Sequence, residues 1–554
     1  MKEEIVSTKI NLGILVQSEE IFLWHYRVIE NIFLHEFASV KLFMIQKPNS
    51  SQARIAQYPI FYLLHERIDK FVFGKSVDYD RKINFTELCK ATAQVMLSKK
   101  SDATCFTISE LSEIQTHCLD LILNFGEHNL NGELVKFSRL GVLNYLISNQ
   151  VNQINGPTCY WEVIKMKAEI ELSIQLRQAD NLKNSEVFST GILPYPNSIH
   201  INRNNAYDLA SLLIPRVIQR ISNQGNAFLN GCGEKSQKSG HQTSINESEN
   251  TYPTSFLSLL NFLLLFFVFF KRKILYHKIG RWFLYFKIND QNKVFPPDPS
   301  TLKIIKSPVS IDWADPFVVS KDAFHYVFVE EYLAKLQKGR ISVLKLDSQG
   351  NFLDSQVVID KPYHLSFPYV FAHNESFFMI PESGSNRTID LYKCDEFPYK
   401  WVFVKKILNN IHAKDTSIFF FNNKWWLFTS IIEKNNSTLS FNELFLFYSD
   451  DLLSSEWKSH PKNPIVSDIK SSRPAGSIYM HDNKIYRPSQ DCSGIYGRAL
   501  NINCITKLSE TDYEEVLVSR TEPDLNTKVK GIHTFNFNEK IIFMDAYFFK
   551  RRLF

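Results

Sequence analysis

The sequence predicts an open α/β sheet followed by an all-β five-bladed propeller, and three observations predict it. Short apolar strands alternate with amphipathic helical segments through residues 1–222. After residue 304 the alternation becomes short-period and turn-rich, with no long helical pattern. A phrase then recurs about every 50 to 60 residues, close to the length of one four-stranded blade. Its five occurrences are Trp313-Ala314-Asp315-Pro316-Phe317, Ser366-Phe367-Pro368-Tyr369, Lys414-Asp415-Thr416-Ser417, Arg473-Pro474-Ala475-Gly476 and Ile532-His533-Thr534-Phe535.

In the first domain, Lys9–Val16 reads as a buried strand, Glu20–Phe33 as a helix and Val40–Met44 as a second strand. Helical stretches are expected over Ile60–Lys70, Thr107–Thr116 and from Asn204 onward, and strands over Asp120–Gly126 and Val142–Tyr145. Residues 223–252 are polar and Gly/Ser-rich, which predicts a flexible linker. Residues 253–303 read as a hydrophobic and basic helical connector, and 304–554 as the propeller. Within each block a second strand follows, as in Tyr326-Val327-Phe328-Val329, Ser376-Phe377-Phe378-Met379 and Lys424-Trp425-Trp426-Leu427. Turns at His373-Asn374-Glu375, Asn422-Asn423 and His481-Asp482-Asn483 precede three of the second strands.

The connector contains the most apolar run of the chain, Phe256–Phe270, followed at once by Lys271-Arg272-Lys273. Fifteen residues at about 1.5 Å each reach about 22 Å, short of a hydrocarbon core of about 30 Å. Three placements stay open: against a membrane surface, buried between domains, or spanning. The cations over 256–281 suit an anionic membrane surface.

A length of 554 residues calls for more than one core. The net charge of +5 is small, and no basic stripe stands outside 271–281, so nucleic acid is not an expected partner. The eight cysteines have no C-x-x-C spacing, so no metal site or redox pair is expected, and no cofactor is specified. Met1-Lys2-Glu3-Glu4-Ile5 does not start a signal peptide, which predicts a cytoplasmic chain, peripheral to the inner face of the membrane if the apolar run docks there.

If the blocks form blades, the polar group opening each sits near one axis. Asp315 and Asp415 stand at the mouths of inner strands, with Glu382 and Glu330 at the ends of second strands. Converging carboxylates suit acid/base or nucleophilic chemistry at a sugar carbon, since one must hold a proton while another is charged; they also suit simple binding of sugar hydroxyls. Asp315, Asp415 and Glu382 are therefore the catalytic candidates. Arg473 and Arg487 suit a phosphate or carboxylate held by two hydrogen bonds. Together with Gln490, Asp491, His533, Glu330 and Trp313, a candidate sugar platform, they form the expected substrate-binding set. The alternative is that the Asp-Pro and Asp-Thr-Ser openings only cap turns.

On these residues the second half resembles the five-bladed arabinanase, xylosidase and levansucrase superfamily. The resemblance implies that Asp315 is a base and Asp415 the carboxylate that tunes an acid. That acid belongs in a Glu-Gly-Pro of the fourth block, where this chain has Ser472-Arg473-Pro474-Ala475-Gly476. The half resembles more closely the amino-terminal domain of the plant glucosamine inositolphosphorylceramide transferases, and also bacterial proteins joining such a propeller to a formyltransferase-like domain. In the first half, Gly141-Val142-Leu143-Asn144-Tyr145-Leu146-Ile147-Ser148, Gly156-Pro157 and Trp161-Glu162 are similar to the core motif of the methionyl-tRNA and sugar formyltransferases. This implies a Rossmann-like, formyltransferase-like domain with Asn144 and Ser148 on motif positions. Leu146 replaces the motif histidine, and an aliphatic side chain cannot move a proton, so folate-dependent formyl transfer is not expected. Glu127, Asn144, Ser148 and Glu162 remain a candidate second site on these loops, or capping and surface groups.

The expected function is a carbohydrate-active transferase, glycosyl or sugar-modifying, in cell-surface glycan or glycolipid biosynthesis. A sugar, sugar-phosphate or glycolipid would be its substrate. The alternatives are a furanosidase-type hydrolase using Asp315, or a non-catalytic glycan-binding scaffold.

Overall fold

The computed structural model describes residues 9–46, 59–74, 77–97, 107–126, 134–148, 150–151, 157–179, 184–225, 228–229, 252–270, 278–289, 292–432, 443–524 and 526–551. The chain divides into two compact units, Met1–Phe270 and Lys271–Phe554. Most of the expected linker at 223–252 lies outside the described residues, as do Glu127 and Lys271-Arg272-Lys273.

The amino-terminal unit is a mixed α/β domain. Its central strand, Ile10–Val16, lies between two parallel partners, Ala38–Gln46 and Leu119–Asn124. Ala93–Leu97 extends the parallel sheet beyond Ala38–Gln46, and Ser138–Ile147 extends it beyond Leu119–Asn124. Ile170–Arg177 and Ser185–Ile192 then add two antiparallel strands. The central strands are apolar at nearly every position, because helices cover both faces of such a sheet. The chain adds strands to one side of Ile10–Val16 and then returns to its other side. Strand order therefore reverses between Ile10–Val16 and Leu119–Asn124, where open α/β sheets leave a crevice.

Helices Leu23–Phe33, Ile60–Phe73, Ile108–Thr116 and Ile199–Gln224 overlap the expected stretches, except that Glu20–Phe22, read as helix, is a strand and the last helix starts before Asn204. Thr107 and Glu110 cap the third reciprocally: the Glu110 amide donates to Thr107 Oγ1 and the Thr107 amide to Glu110 Oε2. The apolar run forms the helix Ser255–Phe270, and no described helix is long and apolar enough to cross a membrane.

The second unit is an all-β five-bladed propeller. Four blades are sequential antiparallel sheets, opening with Ile311–Lys321, Ser366–His373, Ala413–Phe421 and Arg473–Pro474. The fifth is shared by both ends of the unit: Val529–Phe537 and Ile541–Arg551 pair with Lys278–Ile288 and Lys303–Ile305. Eleven paired positions, from Lys278↔Arg551 to Ile288↔Ile541, join the two ends of the unit in one blade and close the ring. This corrects the helical connector expected over 253–303, since Lys278–Ile288 is a strand and the propeller begins with it. Phe283 and Tyr285 pack into the core on one face of that strand and Leu284 and Phe286 into the core on the other.

The recurring phrase is a repeated bulge. Pairing of the inner with the second strand shifts between Ala314 and Phe317, Ser366 and Tyr369, Lys414 and Ser417, and Ile532 and Phe535. In the first three blades the inserted residues Asp315, Phe367 and Asp415 have left-handed backbone, at φ of 52°, 42° and 49°. A bulge re-aims its side chain out of the regular alternation. The turns read as Asn374-Glu375, Asn422-Asn423 and Asp482-Asn483 have positive φ at both central residues, which suits tight hairpins.

In the fourth blade Arg473 and Pro474 pair without a shift, and the turn that follows holds Gly476, at φ of +145°, where a Cβ would lie 2.0 Å from the Phe535 carbonyl oxygen. Its own carbonyl accepts from Ser417 Oγ at 2.9 Å, and the Phe535 amide donates to the Ala475 carbonyl at 2.7 Å, so this turn joins three blades. Gly476→Ala is expected to destabilise the protein by about 2–4 kcal/mol in urea unfolding. Gly280→Ala, where a Cβ meets nothing within 4 Å, is expected to change stability by less than about 0.5 kcal/mol. Equal stabilities for the two variants would show that the Gly476 turn is not a structural constraint.

Candidate functional site

The bulges bring five carboxylates from four blades into mutual electrostatic range: Asp315, Glu330, Glu382, Asp415 and Asp545. Glu330 lies opposite Ala314 on the second strand of blade one, Glu382 opposite Ser366 on blade two, and Asp545 on the second strand of blade five.

Asp315 is buried and closely held. Its amide donates to Asp545 Oδ2 at 2.8 Å; its Oδ2 accepts from the Phe367 amide at 3.1 Å and its Oδ1 from Thr534 Oγ1 at 2.9 Å. His533 Nε2 stands 3.6 Å from the same Oδ1, while His533 Nδ1 lies 2.7 Å from Asp545 Oδ1. Burial works against a charge on His533, but Asp545 and Asp315 outweigh it and raise the imidazole pKa above its usual value. Burial also pushes Asp315 up. Asp315, His533 and Asp545 each offer a ligand atom within 4.8 Å of the others, a spacing that a metal ion could use. No sequence spacing announces that trio, because its members come from opposite ends of the propeller.

Asp415 faces Arg473, whose Nε donates to Asp415 Oδ2; Gln490 Nε2 donates to the same oxygen at 3.0 Å. The Asp415 amide donates to Glu382 Oε2 at 3.3 Å, and Lys414 Nζ donates to Glu382 Oε1 at 2.6 Å. Burial opposes ionisation of Glu382, but Lys414 and Arg473 prevail and hold its pKa down. For Asp415 burial prevails over Arg473, with Glu382 and Asp315 adding to the upward push.

Glu330 has the opposite environment from Glu382. Burial and the charges of Asp315, Glu382, Asp415 and Asp545 all push its pKa well above the carboxylate range. His364 Nε2 is 3.5 Å from Glu330 Oε1, and burial lowers the pKa of that imidazole. Glu331 points to the other sheet face, where Arg340 Nε (2.9 Å) and Ser342 Oγ (3.1 Å) hold it, as strand alternation requires. Trp282 stacks on His533 with ring centroids 4.1 Å apart, Tyr496 meets the same ring edge-on at 5.3 Å, and Arg473 lies over Tyr496 at 4.7 Å.

The structure thus brings together Asp315, Glu330, Glu382, Asp415, Arg473, Gln490 and His533. Three other expected binding residues have structural partners instead. Arg487 is held by Glu515, through Nε at 2.8 Å and Nη2 at 2.6 Å, and by the Ser471 carbonyl. Asp491 pairs with Arg520 at 2.6 Å and accepts from the Ser493 amide. Trp313 is buried in an apolar cluster beside Phe352, so it packs a core and presents no platform. The sequence reading missed Asp545, Thr534, Lys414, His364, Trp282 and Tyr496. Lys414 and Thr534 stand inside the recurring phrase, and Asp545 is the single charge inside Ile541-Ile542-Phe543-Met544-Asp545-Ala546-Tyr547.

In the amino-terminal unit, Asn144 Oδ1 accepts from Asn124 Nδ2 at 2.8 Å, Ser148 Oγ donates to Cys159 Sγ at 3.7 Å, and Glu162 lies 3.5 Å from Lys167 Nζ. Burial pushes Glu162 up, and Ser148 hydrogen-bonds to it, so these two are brought together. A cavity of about 400 Å³ opens at the strand-order reversal, between Gln17 and Ser18 after one strand and Phe125 after the other. Arg203 lies in its wall, donating to Asp80 Oδ2 at 2.8 Å and to Glu66 Oε1, which also accepts from Tyr62 Oη at 2.6 Å.

A protein-family model described as glucosamine inositolphosphorylceramide transferase 1, N-terminal, matches residues 303–545. Glucosamine inositolphosphorylceramide transferase 1 of Oryza sativa subsp. japonica is 34% identical over 216 residues, 37% of this chain and 28% of that protein. The Arabidopsis thaliana protein of the same name is 31% identical over 230 residues, 40% of this chain and 29% of that protein. The chain therefore spans less than a third of the length of these curated relatives. Among solved structures, an α-L-arabinofuranosidase from Podospora anserina aligns with a TM-score of 0.33 at 11% identity, over 43% of this chain and 92% of that one. A family 117 glycoside hydrolase produced by Zobellia galactanivorans aligns with a TM-score of 0.32 at 11% identity, over 48% of this chain and 90% of that one. The matched family covers the propeller and not the amino-terminal unit, whose formyltransferase-like identity gains no support.

The environment of Glu330 sets the sign of a pH effect. Its folded pKa is raised, so the stability tied to its proton is complete below about pH 4 and is lost as pH rises toward the folded value. Glu330→Gln keeps a neutral side chain at every pH. Thermal melts of variant and wild type are expected to coincide near about pH 4, with the variant gaining steadily as pH rises. A wild type that gains on the variant with rising pH would mean that Glu330 is ionised.

Proposed function

We propose that this chain is a carbohydrate-active transferase of cell-surface glycan or glycolipid biosynthesis, with its sugar site at the propeller axis. The observation that carries the reading is the convergence of Asp315, Glu330, Glu382, Asp415 and Asp545 beside Trp282 and Tyr496. Carboxylates accept from sugar hydroxyls, and aromatic faces pack on the apolar face of a pyranose or furanose ring. In this reading Glu330, the carboxyl surrounded by other carboxylates, donates the proton to a leaving oxygen. Glu382 beside Lys414, and Asp315 beside Thr534 and the Phe367 amide, keep fixed acceptors around the ring. Asp415 is oriented by Arg473 and Gln490. The similarity to transferases of inositolphosphorylceramide supports transfer of a sugar to a lipid-linked acceptor over release to water. The chain would then work in the cytoplasm at the inner face of the membrane.

Furanosidase-type hydrolysis is the second reading, favoured by Asp315 and Glu330, two carboxyl groups of one blade in electrostatic range of each other. Products separate the two: transfer yields a sugar–acceptor conjugate and hydrolysis a free sugar.

A thermal-shift screen of nucleotide sugars and phosphosugars is expected to find a ligand that raises the melting temperature of the wild type. Asp315→Asn and Glu330→Gln should lose that shift or weaken it, and Glu330→Gln should lower turnover about 10²–10⁴-fold. A ligand shift retained in full by both variants would place the sugar elsewhere and sink the axial site.

A further inference from the structure

The helix Ser255–Phe270 is inside out for a helix of a water-soluble surface. Of its three polar residues only Ser255, at the first position, is exposed; Ser258 and Asn261 are buried, and Asn261 Nδ2 donates to Tyr160 Oη at 3.0 Å. Leu265 is buried with Tyr62, Tyr160 and Trp161, and Phe262 and Phe269 meet His65 and Phe73 of the helix Ile60–Phe73 edge-on. The opposite stripe is Phe256, Leu260, Leu263, Leu264, Phe267 and Phe270, and each of these is exposed, Phe256 to 70%. The spacing of four, three, one, three and three residues keeps them on one face.

The neighbouring helix repeats the inversion. Its acids turn inward: Glu66 accepts from Arg203, and Asp69 Oδ2 accepts from the His200 amide at 2.7 Å. Outward it presents Ile60, Leu64, Ile68 and Phe71, the last 91% exposed, with Arg67 as the charge among them. Two adjacent helices thus share an apolar face on which no exposed acid stands among these positions. Monomeric soluble proteins rarely expose contiguous apolar area of this size.

We propose that these two helices dock the amino-terminal unit onto the surface of an anionic lipid bilayer, lying in the headgroup layer without crossing it. Length decides between lying and crossing: sixteen residues at about 1.5 Å each give about 24 Å, less than a hydrocarbon core of about 30 Å. Charge complementarity decides for a bilayer. Arg67 can extend its guanidinium from an apolar face to phosphate, and Lys271-Arg272-Lys273 follows the helix directly in the sequence. Both helices belong to the amino-terminal unit, so their test is independent of the test of the propeller site.

The test is co-sedimentation of the full chain with vesicles of phosphatidylcholine and phosphatidylglycerol at about 3:1, against vesicles of phosphatidylcholine alone. Wild type is expected to partition onto the mixed vesicles. Leu264→Glu and Phe71→Glu should each reduce partitioning by about tenfold or more. Arg67→Glu should reduce it about fivefold or more on the mixed vesicles only. All three positions are exposed, so unchanged circular dichroism and melting temperature will show that the variants fold. Wild type that stays in the supernatant, or binding that the variants leave unchanged, overturns the proposal. So does a dimer, seen by light scattering, that the glutamate variants dissociate without any vesicle binding, because a second copy would then cover the face.

Discussion

The propeller site depends on one backbone device, the extra residue in the inner strands of blades one, two, three and five. A regular strand would alternate its side chains between the two faces of a blade, and Asp315 and Asp415 would enter the packing between blades. The bulge gives each a left-handed backbone and turns it out of that alternation. The carboxyl group then reaches across to a neighbouring blade: Asp315 to the Phe367 amide and Thr534, Asp415 to Arg473 and Gln490. Ring closure completes the arrangement. Asp545 and Thr534 arrive on the last strands, and they stay there because those strands are zipped to Lys278–Ile288.

Gathering five carboxylates in partly dehydrated surroundings has a consequence that no single pair shows. Their repulsion is offset by Lys414, Arg473 and His533, which contact Glu382, Asp415, and Asp545 with Asp315 respectively. Glu330 has the neutral-leaning His364 beside it and four carboxylates around it, so a proton is the cheapest way to remove its charge. The contrast between Glu330, pushed up by burial and the surrounding carboxylates, and Glu382, held down by Lys414 and Arg473, is the division between a protonated and an ionised carboxyl that acid/base chemistry at a sugar requires. Arginine in the fourth block takes part in that division by pairing with Asp415.

The amino-terminal unit separates polar from apolar surface in an unusual sense. Glu66, Asp80 and Arg203 come from three elements and form a linked group in the wall of an aromatic-rich cavity. The same helix that turns Glu66 inward leaves Ile60, Leu64 and Phe71 outward. Inward polarity and outward apolarity are two results of one helix rotation, fixed by the hydrogen bonds that the buried polar groups must keep.

Much of the architecture is legible in the residues themselves. Apolar runs bounded by turns place the strands of both units, and the recurring phrase locates the first strand of every blade, because local pattern and local backbone preference act within a few residues. Asp315, Asp415 and Glu382 are legible for the same reason, as polar groups at repeated positions of apolar strands. Lys278–Ile288 was not: its partner lies more than 250 residues away, and beside a basic run it reads as a connector. Arg487 and Asp491 look equivalent to Arg473 and Gln490 in sequence, yet Glu515 and Arg520, both on the outer strand Tyr513–Thr521 two strands away, claim them. The helix 255–270 shows its hydrophobicity plainly but not which way Ser258 and Asn261 face. By itself the sequence determined periodicity, turns and the repeat, which are short-range properties of the chain. Only the tertiary structure decided which charges meet, which are neutralised and which apolar face stays open, because those follow from contacts between residues that the sequence keeps far apart.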